Sequence, residues 1–237
     1  MTPDVYIFQR VEKKYLMTSR QKDALMKRIE DKLTPDIHGK NTIFSLYLDT
    51  PDHRLIRNSI EADTYKEKLR LRSYGVPKAD TQVFLELKKK LGGIVYKRRE
   101  SMEMQAALDY IQEGRKPIDS QIMKEIDYAM ALYHRPKPMI LICYERTAYY
   151  AEGHPDLRLT FDCAIRYRET NLAMEAGSDG KQILPNGKFL LEIKTGGAMP
   201  LWLSQALSEC GLYPQSYSKY GNAYMDSLLV RQADYVS

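Results

Sequence analysis

What most constrains the fold is how charge is laid out between Lys66 and Arg99. This stretch holds eleven cations (Lys66, Lys68, Arg70, Arg72, Lys78, Lys88, Lys89, Lys90, Lys97, Arg98, Arg99) against three acids (Glu67, Asp80, Glu86). The local excess is +8 in a chain of formal net charge +5, so the remainder sums to −3. Apart from the runs Lys88–Lys90 and Lys97–Arg99, the cations of this stretch are spaced by other residues. Lys68, Arg70 and Arg72 interleave with Glu67, Leu69 and Leu71, and Glu86, Lys88 and Lys90 follow Val83, Leu85 and Leu87 in the same rhythm. A period of two is the signature of a strand, in which every second side chain shares a face.

The pattern recurs. Arg158, Thr160, Asp162, Arg166 and Arg168 oppose Leu157, Leu159, Phe161, Ile165 and Tyr167; Glu192 and Lys194 oppose Leu191, Ile193 and Thr195; Tyr144 and Arg146 continue it. Like charges two apart on a strand sit roughly 7 Å from each other, which costs on the order of 2 kcal/mol per pair at an effective dielectric of ~20. Repetition over several strands favours a bound polyanion. The scattered carboxylates Glu12, Glu86 and Glu192 relieve that repulsion or hold a divalent ion that bridges phosphate oxygens.

Strands are expected at 5–16, 43–49, 65–74, 81–90, 94–104, 139–151, 157–168 and 188–195, with a tight hairpin at Gly92-Gly93. Helices are expected at 19–33, 51–62, 106–113, 119–133, 201–210 and 219–230. No linker, low-complexity tract or repeat divides the chain, so one domain over 1–237 is expected. The fold class is α+β, and eight strands are enough to close a barrel around side chains or one narrow ligand. Helices then cover the apolar faces and the charged faces line the interior.

Other chemistries find little support. Cys143, Cys163 and Cys210 form no CxxC pair, and His38, His53, His134 and His154 make no HExxH or zinc-type cluster. Neither Gly180-Lys181 nor Gly187-Lys188 completes a Walker A loop. The longest apolar stretch, Met139 to Tyr144, is far below the ~20 residues of a spanning helix. The start of the chain lacks a signal-peptide pattern. A cytoplasmic protein with no direct membrane insertion is expected, and +5 over 237 residues is modest for a nucleic-acid binder.

Seven segments in this order carry a resemblance: Arg10-Val11-Glu12-Lys13-Lys14-Tyr15, Tyr47-Leu48-Asp49-Thr50, Lys68 to Gly75 (KLRLRSYG), Phe84-Leu85-Glu86-Leu87-Lys88, Tyr144-Glu145-Arg146, Leu190-Leu191-Glu192-Ile193-Lys194 and Ser218-Lys219-Tyr220. Together they resemble the polyphosphate polymerase domain of the vacuolar transporter chaperone (VTC) complex, a triphosphate tunnel metalloenzyme of the CYTH-like superfamily. The resemblance implies an eight-stranded antiparallel β-barrel tunnel with helices packed outside, which binds ATP with Mn2+ or Mg2+ and transfers the γ-phosphoryl group to a growing polyphosphate chain. It implies phosphate contacts for Lys14, Arg70, Arg72, Lys88, Arg146 and Lys219, and a metal on Glu192, with Glu86 and Glu12 as further candidates. Tyr144, Arg166, Arg168, Lys194 and Ser218 are expected nearby, as is either Lys97 or Arg98, between which strand parity leaves the choice open. Where the wider superfamily opens with ExExK, this chain has Arg10 before Glu12 and Lys14, which suits a polymerase better than a two-metal hydrolase. A tripolyphosphatase or nucleoside triphosphatase, and a noncatalytic polyphosphate or RNA-binding module, are the alternatives. ATP and polyphosphate are the expected partners, with a membrane protein as a further one.

Overall fold

The computed structural model describes residues 11–62, 64–92 and 94–236. The chain forms two compact units: one comprises 1–41, 146–163 and 184–217, the other 42–145, 164–183 and 218–237. Arg10, the rest of the expected strand before Val11, and Gly93 of the hairpin lie outside the described residues.

The elements run β1 (Val11–Thr18), α1 (Ser19–Ile29), β2 (Leu33–Asp49), α2 (Arg54–Glu61), β3 (Tyr65–Tyr74), β4 (Gln82–Leu91), β5 (Ile94–Glu103), α3 (Met104–Glu113), α4 (Gln121–Leu132), β6 (Lys137–Ala151), β7 (His154–Arg168), β8 (Lys181–Gln182), β9 (Lys188–Thr195), α5 (Leu201–Glu209) and α6 (Lys219–Val236). Hydrogen-bonded neighbours follow the order β1-β9-β7-β6-β2-β3-β4-β5, with the short β8 beside β7. Eight long strands and six α-helices are those the alternation and capping signals anticipate. The exception is β2, which starts at Leu33 rather than 43. Helix α1 stops at Ile29 and a 3-10 turn over Glu30–Lys32 intervenes. Pro35 confines itself and Thr34 to extended backbone, while Gly39 hides any alternation, so only pairing reveals the strand.

Each unit has its own core. In the first, Tyr15, Met17, Leu159, Phe161, Leu191 and Ile193 pack with Leu25 and Ile29 of α1 and Leu203 and Leu207 of α5. In the second, Phe44, Leu46, Leu69, Leu71, Leu85 and Leu87 pack with residues of α3 and α4 such as Tyr110, Met123 and Ile126. Each buried large apolar side chain contributes roughly 1.5–3 kcal/mol. In both units the helices cover the apolar strand faces, and the alternate faces carry the charge.

Asp49 organises one junction of the second unit. Its fully buried carboxylate accepts from the backbone N–H of Thr50 (2.8 Å), Leu55 (2.8 Å) and Ile56 (3.0 Å) and from the Tyr220 hydroxyl (2.8 Å). It therefore caps α2 from five residues before the helix's first residue, a task that left-handed His53 (φ 57°) does not perform with its own side chain. Asp49→Ala is expected to lower stability by about 3 kcal/mol, because it removes a cap and leaves buried donors unsatisfied. Urea denaturation checks this.

Candidate functional site

In the second unit, strand register arranges the charged face as rungs. Tyr47 of β2 lies opposite Arg70 of β3, which lies opposite Glu86 of β4, which lies opposite Arg99 of β5. The neighbouring rungs are Ser45, Arg72, Phe84 and Ser101 on one side, and Lys68, Lys88 and Lys97 on the other. Glu86, 1% exposed, meets Arg70 at 2.6 Å, Lys97 at 2.7 Å, Arg99 at 3.3 Å and Arg72 at 4.0 Å. Burial pushes its carboxyl up, but Arg70, Arg72 and Lys97 outweigh this and hold it well below the usual carboxylate range. These are the surroundings of a counter-ion: Glu86, expected above as a further metal candidate, sits at the hub of a cation cluster.

Four cations around one carboxylate leave a positive excess, and Arg72 is the least satisfied of them. It is 7% exposed, yet its Nη2 reaches only Tyr144 Oη at 3.3 Å and Ser45 Oγ at 3.5 Å, both long for a hydrogen bond. Its Nε, like that of Arg99, is buried without a hydrogen-bond acceptor among the described residues. A buried guanidinium left in this state suits an anionic ligand.

The choice between Lys97 and Arg98 resolves through the hairpin. Leu91 pairs with Ile94 across a two-residue turn, so even positions of β4 oppose odd positions of β5. Lys97 thus shares the face of Glu86 and Lys88. Arg98 lies opposite Leu87 on the other face and bonds Glu125 of α4 at 2.7 Å.

The start of α6 belongs to the same unit. Ser218 caps it by accepting from Gly221 N–H (3.0 Å) and also receives Lys68 Nζ (2.9 Å). Lys219 Nζ lies 4.7 Å from the centroid of the Tyr144 ring. Tyr220 stacks on Tyr47 with centroids 4.5 Å apart, and Tyr47 Oη accepts from Arg70 Nη1 at 3.1 Å. Burial pushes the Tyr47 phenol up; Arg70, Lys68 and Arg72 more than offset it and bring it down to about 8. Tyr47 is therefore expected to ionise before an ordinary phenol in an ultraviolet phenolate titration, and Tyr47→Phe should remove that transition. Because the phenolate offsets nearby positive charge, tripolyphosphate affinity should fall as pH rises through this range in the parent protein and stay flatter in the variant.

Arg166 and Arg168 also fall in this unit. Arg166 lines a small recess with Thr42, Tyr144, Glu145 and Ser178, and its guanidinium makes no hydrogen bond or ion pair with a described residue. Arg168 donates to the carbonyls of Asn171, Ala173, Gly177 and Asp179 at 2.6–2.8 Å. Its nitrogens tie down the following loop.

The first unit carries a second charged face, built by β1, β9 and part of β7. Lys14 lies opposite Glu192, and Glu12 opposite Lys194, so acid and base alternate both along and across the strands. Lys14 pairs with Glu12 at 2.9 Å and Lys194 with Glu192 at 3.7 Å. Arg146 forms a two-pronged fork with fully buried Asp162 (2.6 and 2.7 Å) and reaches Glu192 at 3.4 Å. Arg158, opposite Lys194 and bonded to Asp36 at 2.7 Å, is a further cation of this face. The alternation of 158, 160 and 162 marked it, but no quoted motif includes it. Arg99 also lies outside the motifs and Tyr47 stands in one without an expected role, because their facing becomes meaningful only with register.

Among the described residues no group of three or more Asp, Glu, His or Cys converges as a metal site. A protein cage for a divalent ion is therefore not present there. The donor set suits an ion held by one or two carboxylates with the rest of its shell from phosphate, as Mg2+ favours. Glu192 and Glu12, whose carboxylates project from one face of adjacent strands, fit that form.

The profile of the VTC domain matches residues 9–227. No curated relative matches the chain. Among solved structures, a Bacillus halodurans protein provisionally titled an adenylate cyclase is 13% identical, with a TM-score of 0.57 over 88% of this chain and 93% of its own. A similarly titled Vibrio parahaemolyticus protein (12% identity, TM-score 0.48) covers 91% of this chain and 97% of its own, and a Pyrococcus horikoshii protein (16%, 0.45) covers 92% and 99%. At such identities the Bacillus halodurans structure speaks to the fold alone, and it bears out the triphosphate tunnel fold that the resemblance implies. Two independent likenesses, of sequence profile and of fold, each span nearly the whole length, and this chain belongs to the VTC domain family.

Proposed function

We propose that the protein is an ATP-dependent polyphosphate polymerase of the cytoplasm, which transfers the γ-phosphoryl group of ATP to a growing polyphosphate chain. The observation that carries this reading is the buried, under-bonded guanidinium of Arg72 beside Arg70 in a face of net positive charge. Two arginines two apart on one strand match successive phosphates, and their forks suit bidentate contact. Lys14, Lys88, Lys97, Lys194 and Lys219 add point charges, and Arg146, Arg166, Tyr144 and Ser218 act as further ligand contacts. A Mn2+ or Mg2+ on Glu192, with Glu12 near it, would neutralise charge on the phosphate oxygens.

Phosphoryl transfer needs positioning and charge stabilisation more than covalent participation by the protein. Arg70 is fixed by Glu86, so its fork is preorganised and loses little freedom when phosphate arrives. The acceptor is an already ionised phosphate, so no general base is assigned. Incubation with ATP and manganese, with the products resolved on a gel, is expected to give long chains and ADP. Orthophosphate and ADP without chains would overturn the polymerase in favour of a triphosphatase, and binding of polyphosphate without turnover would leave a noncatalytic module.

A further inference from the structure

The cations nearest the β4–β5 turn belong to none of the motifs that carry the resemblance. Lys66 of β3 lies opposite Lys90 of β4, on the face that carries Lys68, Lys88 and Lys97 in the next rung and Arg70, Glu86 and Arg99 in the one after. Between Glu86 and the turn this face bears no acid on β3, β4 or β5. The ammonium groups of Lys66, Lys88 and Lys90 make no hydrogen bond or ion pair with a described residue. Lys66 and Lys88 are half-buried and Lys90 is exposed.

A shortage of acids does not explain this. On the opposite face of the same strands Lys89 pairs with Glu67 at 3.3 Å, and Arg98 pairs with Glu125 at 2.7 Å. Solvated lysines are ordinary at a hairpin end, but directly opposed like charges are unfavourable. Here two successive rungs, Lys66 with Lys90 and Lys68 with Lys88, oppose like charges.

We infer that Lys66 and Lys90 form a binding subsite for a linear polyanion longer than a triphosphate, continuing the basic face from Arg70 and Arg72 toward the β4–β5 turn. Its identification with the growing polyphosphate chain rests on the polymerase reading. At the rise of a strand, Lys66 stands roughly 14 Å from Arg70. A triphosphate, with only two bridging oxygens, does not cover that distance. The residue types differ in a way that fits the two tasks. Arginine forks fix phosphates in register, whereas lysines offer mobile point charges with no geometric demand, so a uniform chain can slide past them as it lengthens.

The test compares long-chain polyphosphate with tripolyphosphate, by calorimetry at several salt concentrations, for the parent protein, the double variant K66Q/K90Q and the charge-conserving K66R/K90R. For K66Q/K90Q, long-chain affinity is expected to drop about tenfold at low salt and its salt dependence to become shallower by about two released ions. Tripolyphosphate affinity and the melting midpoint should not move, and K66R/K90R should restore long-chain binding. Equal losses for both ligands would overturn the subsite, as would no loss for either. Parent protein that prefers single-stranded RNA to polyphosphate, with that preference lost in K66Q/K90Q, would overturn the stated ligand class. If the parent makes no chains from ATP, the polymerase reading fails on that result alone, and the length-dependent binding still decides the subsite.

Discussion

Glu86→Gln is expected to destabilise the protein by about 3–5 kcal/mol, the usual effect of removing one partner from a buried ionic cluster. The substitution nearly preserves shape, so the effect isolates charge. Four cations lie within 4.0 Å of the carboxylate, and a neutral amide leaves them facing one another in a buried site. The same cluster sets an acid limit. Because the folded carboxyl lies below its ordinary value, its contribution is fully present above the unfolded carboxylate pKa of about 4.3 and is lost as pH falls through the folded value. Denaturation curves from neutral to acid pH should therefore show parent and Gln variant converging at the acid end. Polyphosphate should restore part of the variant's melting temperature, since a bound polyanion replaces the missing negative charge and stabilises by mass action. A variant as stable as the parent at neutral pH would show that Glu86 does not hold the cluster together.

Much of this was legible in the sequence wherever one strand carried the signal. Arg70 and Arg72 stand two apart, so their shared face follows from chain geometry alone, and α4 falls within the stretch 119–133 expected to be helical. What depended on pairing was hidden. The facing of Lys97 is set by a two-residue turn that shifts parity between β4 and β5. The surroundings of Glu86 are set by cations on the two neighbouring strands, so alternation along one strand does not tell counter-ion from metal ligand. The opposed pairs Lys14–Glu192 and Glu12–Lys194 exist only through the register of β1 with β9. Arg168 kept the right parity, yet the loop that follows it claims its nitrogens. Composition sees none of these distinctions, because each is a relation between residues far apart in the chain.

Arg72→Lys is expected to lower kcat/KM for ATP by roughly 10²–10³-fold, the range seen when a preorganised donor to developing charge is lost, while leaving the fold intact. The two arginines of β3 divide the work. Arg70 is tied to Glu86 at 2.6 Å and to Tyr47 at 3.1 Å, so replacing it disturbs stability and activity together. Arg72 approaches Glu86 only at 4.0 Å, holds two long hydrogen bonds and keeps a buried Nε without an acceptor among the described residues. Its folded-state contacts are too poor to offset its desolvation, so Arg72→Ala should leave the melting temperature unchanged or raise it, by relieving positive excess around Glu86. Lysine keeps the charge but lacks the planar fork, so a loss in Arg72→Lys measures bidentate geometry, and the further loss in Arg72→Ala measures charge. Denaturation, tripolyphosphate binding and steady-state transfer from ATP, each measured on both variants, separate these effects. Full activity in Arg72→Lys, or a large loss of stability in Arg72→Ala, would mean that this guanidinium serves the fold and that phosphate is held elsewhere.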